Sequence, residues 1–437
     1  MNQIWIAGLA GIASGLLGVA ARRHPLVAWV ALSPLGVALL SCGWRAALAG
    51  AIVGGCLHGV AMITQPAKLR PLGAGLGALG WSVTAAVGGS VLDQAGEHAL
   101  VAVLAATAVI APLPMRWLGA PRWVHGALAC TQEVWPVVIR AGWIGGELTV
   151  HALLGAIGAA VVLVFTAPLL SAAVFGCVGL ALFVAALRLE RTRAAIARAR
   201  RVRIAAVVVN GAPPDDGWPD PSWPARSPEY RDVPATIARY TPYVTRAAAQ
   251  GAELVVLPEV CVIVDAAGAS LWRSAVREWA GRLRITLVAP FLDVDAPCNA
   301  LYVAEPCGRV RVHDKQHPAP GLEPVPRNIE APGPHRLETG LQLSTAICVD
   351  LDYADLVSPV RTGGGLLVAP SNDWPGGFDA LHDRTAVWAA LLTGATVLRA
   401  TGHGYSSVRD GAGTLLARSS SLEGPVVLVV DAPLSVP

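Results

Sequence analysis

The sequence predicts a chain in two parts, a membrane α-helical bundle followed by a mixed-sheet α/β layer sandwich. Three observations predict it. Charged residues make up 14% of the 437-residue chain, against about 25% in an average soluble domain. Apolar residues reach 54% and mean hydropathy is +0.53, values that suit a protein partly in lipid. Near Val202 long apolar runs give way to short strand-like runs alternating with helical periodicity.

A chain of this length exceeds the usual single domain, so two or more are expected. The net charge of +3 is too small to argue for a nucleic-acid partner. Eight cysteines (Cys42, Cys56, Cys130, Cys177, Cys261, Cys298, Cys307, Cys348) show no CxxC pair and no regular spacing. They read as neither a disulfide framework nor a zinc site.

From Met1 to Leu187 ionisable residues are sparse, and apolar runs of spanning length lie between them. A helix needs about 20 residues to cross about 30 Å of hydrocarbon. Spans are expected near 3–21, 25–43, 46–64, 98–115, 123–142, 149–168 and 170–188. The Gly-rich run 72–92 reads either as an eighth span or as a helix lying at the interface. A cleaved leader accounts for a first apolar segment, never for a series. Gly, Ala and Ser crowd these runs, as close helix packing in lipid requires. Glu133 and Arg140, seven residues apart in the run 123–142, fall near one helical face. They read either as functional intramembrane charges or as a pair at interface depth. The basic stretch Arg188–Arg203 (RLERTRAAIARARRVR) belongs in the cytoplasm by the positive-inside rule, or hugs anionic head groups as a solvated helix. The expected division is therefore 1–188 as the bundle, 189–202 as a basic linker and 203–437 as the soluble domain.

In the soluble part Arg203–Asn210 is a buried-type strand, followed by a loop over 211–228 without periodicity. A helix is expected over 233–250, stopped by Gly251, then a strand over 252–257 ending in Pro258-Glu259. Helix 270–283 leads to strand 284–290. Strands 300–305 and 309–313 flank the turn Pro306-Cys307-Gly308. Further strands are expected at 341–347, 365–369, 395–400, 405–409, 414–418 and 426–430. Strands alternate with helices early and hairpins come late, which implies a mixed sheet.

Polar residues at three strand ends carry the chemistry. Cys348 closes strand 341–347, at the rim where α/β folds place reactive groups. Alone, a cysteine there usually just fills core. Glu259, however, follows "VVLP", and Lys315 follows strand 309–313. A carboxylate, an amine and a thiol are the parts needed for acyl transfer through a thioester. Only a thiolate attacks, so the carboxylate takes the thiol proton. The ammonium sits where negative charge develops on the tetrahedral oxygen.

On these residues the soluble part resembles the carbon–nitrogen hydrolase (nitrilase) superfamily. Its Glu–Lys–Cys triad matches Glu259 in "VVLPEV", Lys315 in "HDKQH" and Cys348 in "TAICVD", over about 203–432. With the preceding helices, the chain resembles the apolipoprotein N-acyltransferase family. "KQHPAPGLEPVP" is similar to that family's K-x-H-L-V-P-F-G-E-x-x-P, which carries a second required carboxylate onto Glu323. "APSNDWPG" is similar to S-N-D-x-W-F-G. The run from His382 preserves His382, Arg399, Thr401 and Gly404 of the following motif. The resemblance thus implies a nitrilase-like αββα layer sandwich and substrate binding by Asn372, Trp374, His382 and Arg399. The sequence departs from the family where Cys-Tyr-Glu is Cys348-Val349-Asp350, at Gly402, at Ala389-Ala390-Leu391-Leu392, and at Pro437, where it ends without the family's final span.

The resemblance implies an acyltransferase in the bacterial cell (inner) membrane, multi-pass, with its catalytic domain on the periplasmic or outer face. The basic stretch 188–203 points the other way. The implied partners are a phospholipid acyl donor, a diacylglyceryl-apolipoprotein acceptor and the lipid bilayer, with no nucleic acid. No cofactor is implied, and the chain carries no GxGxxG after a strand, no GxxxxGK[ST] and no HExxH. Two alternatives stand beside this one. One is a membrane-tethered amidase with water as acceptor, towards which Val349-Asp350 lean because soluble superfamily members carry Asp there. The other is a non-enzymatic relative that keeps the fold.

Overall fold

The apolar runs of the first unit fold as helices, most of whose ends fall at proline or glycine: α1 (Gln3–Ala20), α2 (Ser33–Cys42), α3 (Trp44–Met62), α4 (Arg70–Ala95), α5 (Leu100–Ile110), α6 (Pro136–Ala141), α7 (Glu147–Leu163) and α8 (Pro168–Arg198). The computed structural model describes residues 3–21, 24–62, 70–110, 129, 131–143, 145–209, 231–319, 323, 334–353, 365–373 and 382–434. Two compact units divide the chain, Met1–Glu190 and Arg191–Pro437.

Within the first unit α1 and α3 touch backbone to backbone. Each carries a Gly-x-x-x-Gly repeat, Gly11/Gly15 on one and Gly50/Gly54 on the other. A Cβ added at Gly11 would lie 1.9 Å from the Gly50 carbonyl oxygen. Small residues therefore set this crossing, as close packing in lipid needs.

Among the described residues, four stretches are long and apolar enough to cross a membrane: Gln3–Ala20, Pro25–Cys42, Ala74–Ala95 and Pro168–Arg198. Seven or eight are expected from the sequence, and parts of the expected spans 46–64, 98–115 and 123–142 lie outside the described residues. The run 72–92 joins the spanning set as part of α4. Trp44–Leu57, Glu97–Ile110 and Glu147–Leu163 are shorter apolar helices. The expected span 123–142 is not one helix. Thr131–Val134 forms a 3₁₀ turn and α6 starts afresh at Pro136, because proline lacks the N–H that would continue the earlier turn. Arg140 lies on α6, and the Glu133 side chain falls outside the described residues. The expected basic linker 189–202 is helical as far as Arg198. α8 runs unbroken to Arg198, since Ala and Arg are strong helix formers and neither Gly nor Pro interrupts 188–203.

The second unit is built on two sheets. One has seven strands in the order β13-β1-β2-β4-β5-β6, with β3 pairing β4. Its members are β1 (Arg200–Val208), β2 (Leu254–Val256), β3 (Ile263–Val264), β4 (Thr286–Asp293), β5 (Cys298–Ala304), β6 (Val310–Asp314) and β13 (Val426–Leu434). β1, β2 and β4 run parallel, through Ile204↔Leu254 and Leu254↔Thr286, and antiparallel strands flank them. The second sheet has six strands in the order β12-β11-β10-β9-β8-β7. Its members are β7 (His335–Arg336), β8 (Gln342–Thr345), β9 (Leu366–Asn372), β10 (Thr396–Gly402), β11 (Tyr405–Arg409) and β12 (Leu415–Ser420). Here β8, β9 and β10 form the parallel centre.

Alternation along β1 sorts the layers. Ile204 and Ala206 join Val256, Val288, Leu343, Val368 and Leu398 in the core between the sheets. Ala205 and Val207 face the other way, into a core with Tyr240, Val244, Trp272 and Trp279. Those aromatics come from α9 (Val233–Ala249) and α10 (Ala266–Leu283). Asp232 caps α9 by accepting from the Ala235 N–H at 2.9 Å, and Asp265 caps α10 by accepting from Gly268 at 2.7 Å. On the second sheet α11 (Thr385–Thr393) is buried along its whole length and packs on β10 and β11. The order helix, sheet, sheet, helix is the αββα sandwich the sequence leads one to expect.

Candidate active site

Three strand ends deliver the chemistry within the second unit. β2 runs into Pro258, which cannot donate to a ladder, and Glu259 follows. Its N–H donates to the Ser371 carbonyl on β9 at 3.3 Å, so the loop is tied to the opposite sheet. Val260 has φ +50°, an outlier for a β-branched residue. Lys315 follows β6, and its N–H donates to the Asn299 carbonyl at 2.7 Å. β8 ends at Thr345, and Cys348 opens the 3₁₀ turn Cys348–Asp352 with φ +52°. Backbone strain thus sits at Cys348 and beside Glu259, where a rigid fold sustains it.

Lys315 Nζ donates to Glu259 Oε1 at 2.7 Å and to Glu323 Oε1 at 2.6 Å. Burial alone would lower its pKa, but Glu259 and Glu323 outweigh burial and hold the ammonium above its ordinary value. Burial raises Glu323 against the pull of Lys315. Asn299 Nδ2 donates to Glu259 Oε1 at 2.8 Å and to Glu323 Oε1 at 3.3 Å, fixing both carboxylates. Ala319 N–H adds a bond to Glu323 Oε2 at 3.0 Å.

Cys348 is buried, 7% exposed. Burial and the charge of Glu259 push its thiol well above the usual range, while Lys315 and the Asn372 backbone amide pull the other way. The sulfur is therefore held as a thiol at neutral pH. Glu259, bonded to Lys315, is the carboxylate that acts most on that thiol, and Asp373 acts in the same direction.

Asp350 explains one departure from the family pattern. Its carboxylate accepts from three backbone amides: His317 at 2.7 Å, Ile347 at 3.1 Å and Gln316 at 3.2 Å. It ties the lysine loop to the cysteine loop. Burial raises its pKa to about 7 against the opposing effects of Lys315 and those amides. Beside it His317 stacks on Tyr353 with ring centres 3.7 Å apart.

A second buried cluster lies against Cys348. Arg399, 0% exposed, donates to both oxygens of Asp373 at 2.8 and 3.0 Å. His382 Nδ1 lies 2.6 Å from Asp373 Oδ1, and its Nε2 lies 3.4 Å from Asp352 Oδ2. Burial alone would raise Asp373, but Arg399 and His382 hold its carboxylate below the usual range. Donor atoms of Cys348, Asp373 and His382 fall within 4.8 Å of one another. The Arg399 guanidinium already occupies the carboxylate, so these residues do not fit a metal ion.

Of the residues expected to bind substrate, Asn372, His382 and Arg399 are buried, and their recorded polar contacts are with protein groups. Trp374 lies outside the described residues. Asn299, Asp352 and Asp373 were not foreseen. Asp373 stood inside the quoted "APSNDWPG", and Asn299 is a polar residue opening an otherwise apolar strand, the one signal available for it.

No family model matches the chain, and no curated protein matches it. Solved structures similar to it include a cysteine-to-serine variant of an amidase from Nesterenkonia AN1, of the nitrilase superfamily, at 21% identity, covering 54% of this chain and 92% of that one with TM-score 0.45. A cysteine-to-alanine variant of the same amidase in complex with butyramide gives the same four values. The NitN amidase of the same source matches at 22% identity over 53% of this chain and 93% of its own, with TM-score 0.44. The functional reading is therefore carried by the geometry of Glu259, Lys315 and Cys348.

Proposed function

We propose that the chain is a membrane N-acyltransferase that moves an acyl group from a phospholipid to the α-amine of a diacylglyceryl-cysteine lipoprotein through a thioester on Cys348. The observation that carries the reading is the junction of a strained, buried cysteine with a Glu259–Lys315 couple, in a chain that also holds helices of membrane-spanning length.

Glu259 removes the thiol proton as sulfur adds to the ester carbonyl. The oxyanion forms beside the Lys315 ammonium and a backbone N–H. Its collapse expels the lysophospholipid oxygen, which takes the proton back from Glu259, and a thioester remains. The acceptor amine then adds to the thioester, Glu259 takes one of its protons, and the amide forms as the Cys348 thiol is regenerated. An α-amine has a pKa of about 7.7–8.0, so its neutral form is readily reached. Glu323 holds Lys315 from its second side.

A second reading, hydrolysis of a small amide by the same three residues, is favoured by one feature, Asp350 at the second place after the cysteine. Complementation separates the two. Expression of the chain in a bacterial strain depleted of its own lipoprotein N-acyltransferase restores growth and triacylated lipoproteins, and Glu259→Gln, Lys315→Met and Cys348→Ala each fail. Growth without N-acylation, or rescue by Cys348→Ala, overturns the acyltransferase reading.

A further inference from the structure

Two aspartates flank one imidazole beside the nucleophile. His382 Nδ1 meets Asp373 at 2.6 Å and Nε2 meets Asp352 at 3.4 Å, all three buried. A neutral imidazole has one N–H, so one of these carboxylates would face a bare lone pair. A doubly protonated ring offers each a donor. Among the described residues no hydrogen bond reaches either Asp352 oxygen, and the imidazole, its Nε2 3.4 Å away, is the basic group beside it. Arg399 Nη2 bonds both oxygens of Asp373 and lies 2.7 Å from Nδ1, where its charge opposes protonation of the ring while Asp373 and Asp352 favour it. Two buried carboxylates stand here, and among the described residues Arg399 bonds one of them. Unmatched buried charge is costly. Here the surplus negative charge would also fall within 4.8 Å of the Cys348 sulfur.

We propose that His382 is a positioning residue, held doubly protonated between Asp373 and Asp352, which screens Cys348 from Asp373 and so sets the pH at which the sulfur attacks. The proposal rests on Cys348 being the nucleophile. Other charges around the pair are accounted for. Asp383 is held by the Ser407 hydroxyl at 2.5 Å and by Arg409 at 3.1 Å. Glu259 and Lys315 also act on the sulfur, and Glu323 and Asp350 act on Lys315.

The test uses the full chain in detergent and reads the rate of Cys348 alkylation by iodoacetamide against pH, by peptide mass spectrometry. His382→Gln keeps a polar side chain without the charge. It should slow labelling at neutral pH about tenfold and move the rise about one unit higher, as loss of a nearby cation does. Asp373→Asn removes a negative charge within 4.8 Å of the sulfur and should move the rise lower. Opposite shifts support the proposal. An unmoved profile in His382→Gln, or equal shifts in both variants, overturns it. Wild-type protein labelled with ¹⁵N-histidine gives a readout that needs no variant. A doubly protonated ring must persist at pH of about 8, above the ordinary histidine value of about 6.5, and its absence overturns the proposal. If wild-type Cys348 takes no label at any pH, the nucleophile reading itself fails, which is a separate outcome.

Discussion

Lys315 stands between two carboxylates with its ammonium buried. Lys315→Met therefore strands both Glu259 and Glu323 and should cost about 3–5 kcal/mol, the usual consequence of removing one partner from a buried ion pair. Urea unfolding checks it. Glu259→Gln is milder for the fold, because an amide oxygen still accepts from Lys315. It cannot take a proton, so acylation of Cys348 should fall at least about 100-fold. Asp350 gives a pH signature. Its folded pKa of about 7 lies above the ordinary aspartate value of about 3.9, so the native state binds the extra proton. Its contribution to stability is complete below about pH 4 and is lost as pH rises towards about 7. Thermal midpoints of wild type should fall through that window relative to those of Asp350→Asn, which keeps an acceptor oxygen but does not titrate. Parallel curves would contradict it.

Helices and strands carry their own tests. A Cβ at Gly50 would lie 2.1 Å from the Ala7 carbonyl oxygen, so Gly50→Val should force α1 and α3 apart at about 1–3 kcal/mol or more, seen as a lower melting point in detergent. Trp272, fully buried and edge-on to Trp279 at 5.8 Å, anchors α10 to the outer face of the first sheet. Trp272→Ala should cost about 3–5 kcal/mol. At this scale the strands were legible where apolar residues alternate or run on, as in Ile204–Val208, β4 and β10. β3 and β7, two residues each, were not, because pairs that short have no period. The break at Trp135-Pro136 was legible in principle, since proline lacks the N–H, but continuous apolarity hid it. The run-on of α8 was hidden the opposite way, by basic residues that look like a linker yet favour helix.

Over the whole molecule, an apolar helical unit precedes a two-sheet unit that holds every residue of the candidate site. The chain should stay with the membrane pellet after alkaline carbonate washing; release into the supernatant would contradict the reading of α1, α4 and α8 as spans. Glu259, Lys315 and Cys348 stand at strand ends and within motifs resembling those of a known family, which is why they could be singled out from the sequence. Asn299, Asp352 and Asp373 act through contacts that form only when separate segments meet, and the sequence marks them weakly, Asn299 as a polar residue in an apolar strand and Asp373 inside "APSNDWPG". His382 and Arg399 were visible as residues but not as what they do, since their burial beside Asp373 follows from how α11 and β10 pack. The most direct measurement is intact-peptide mass spectrometry of the Cys348 segment after incubation with phospholipid and no amine acceptor. A hydroxylamine-labile acyl adduct on Cys348, missing in Glu259→Gln, is the predicted result; an unmodified Cys348 in protein that hydrolyses a small amide would contradict the account.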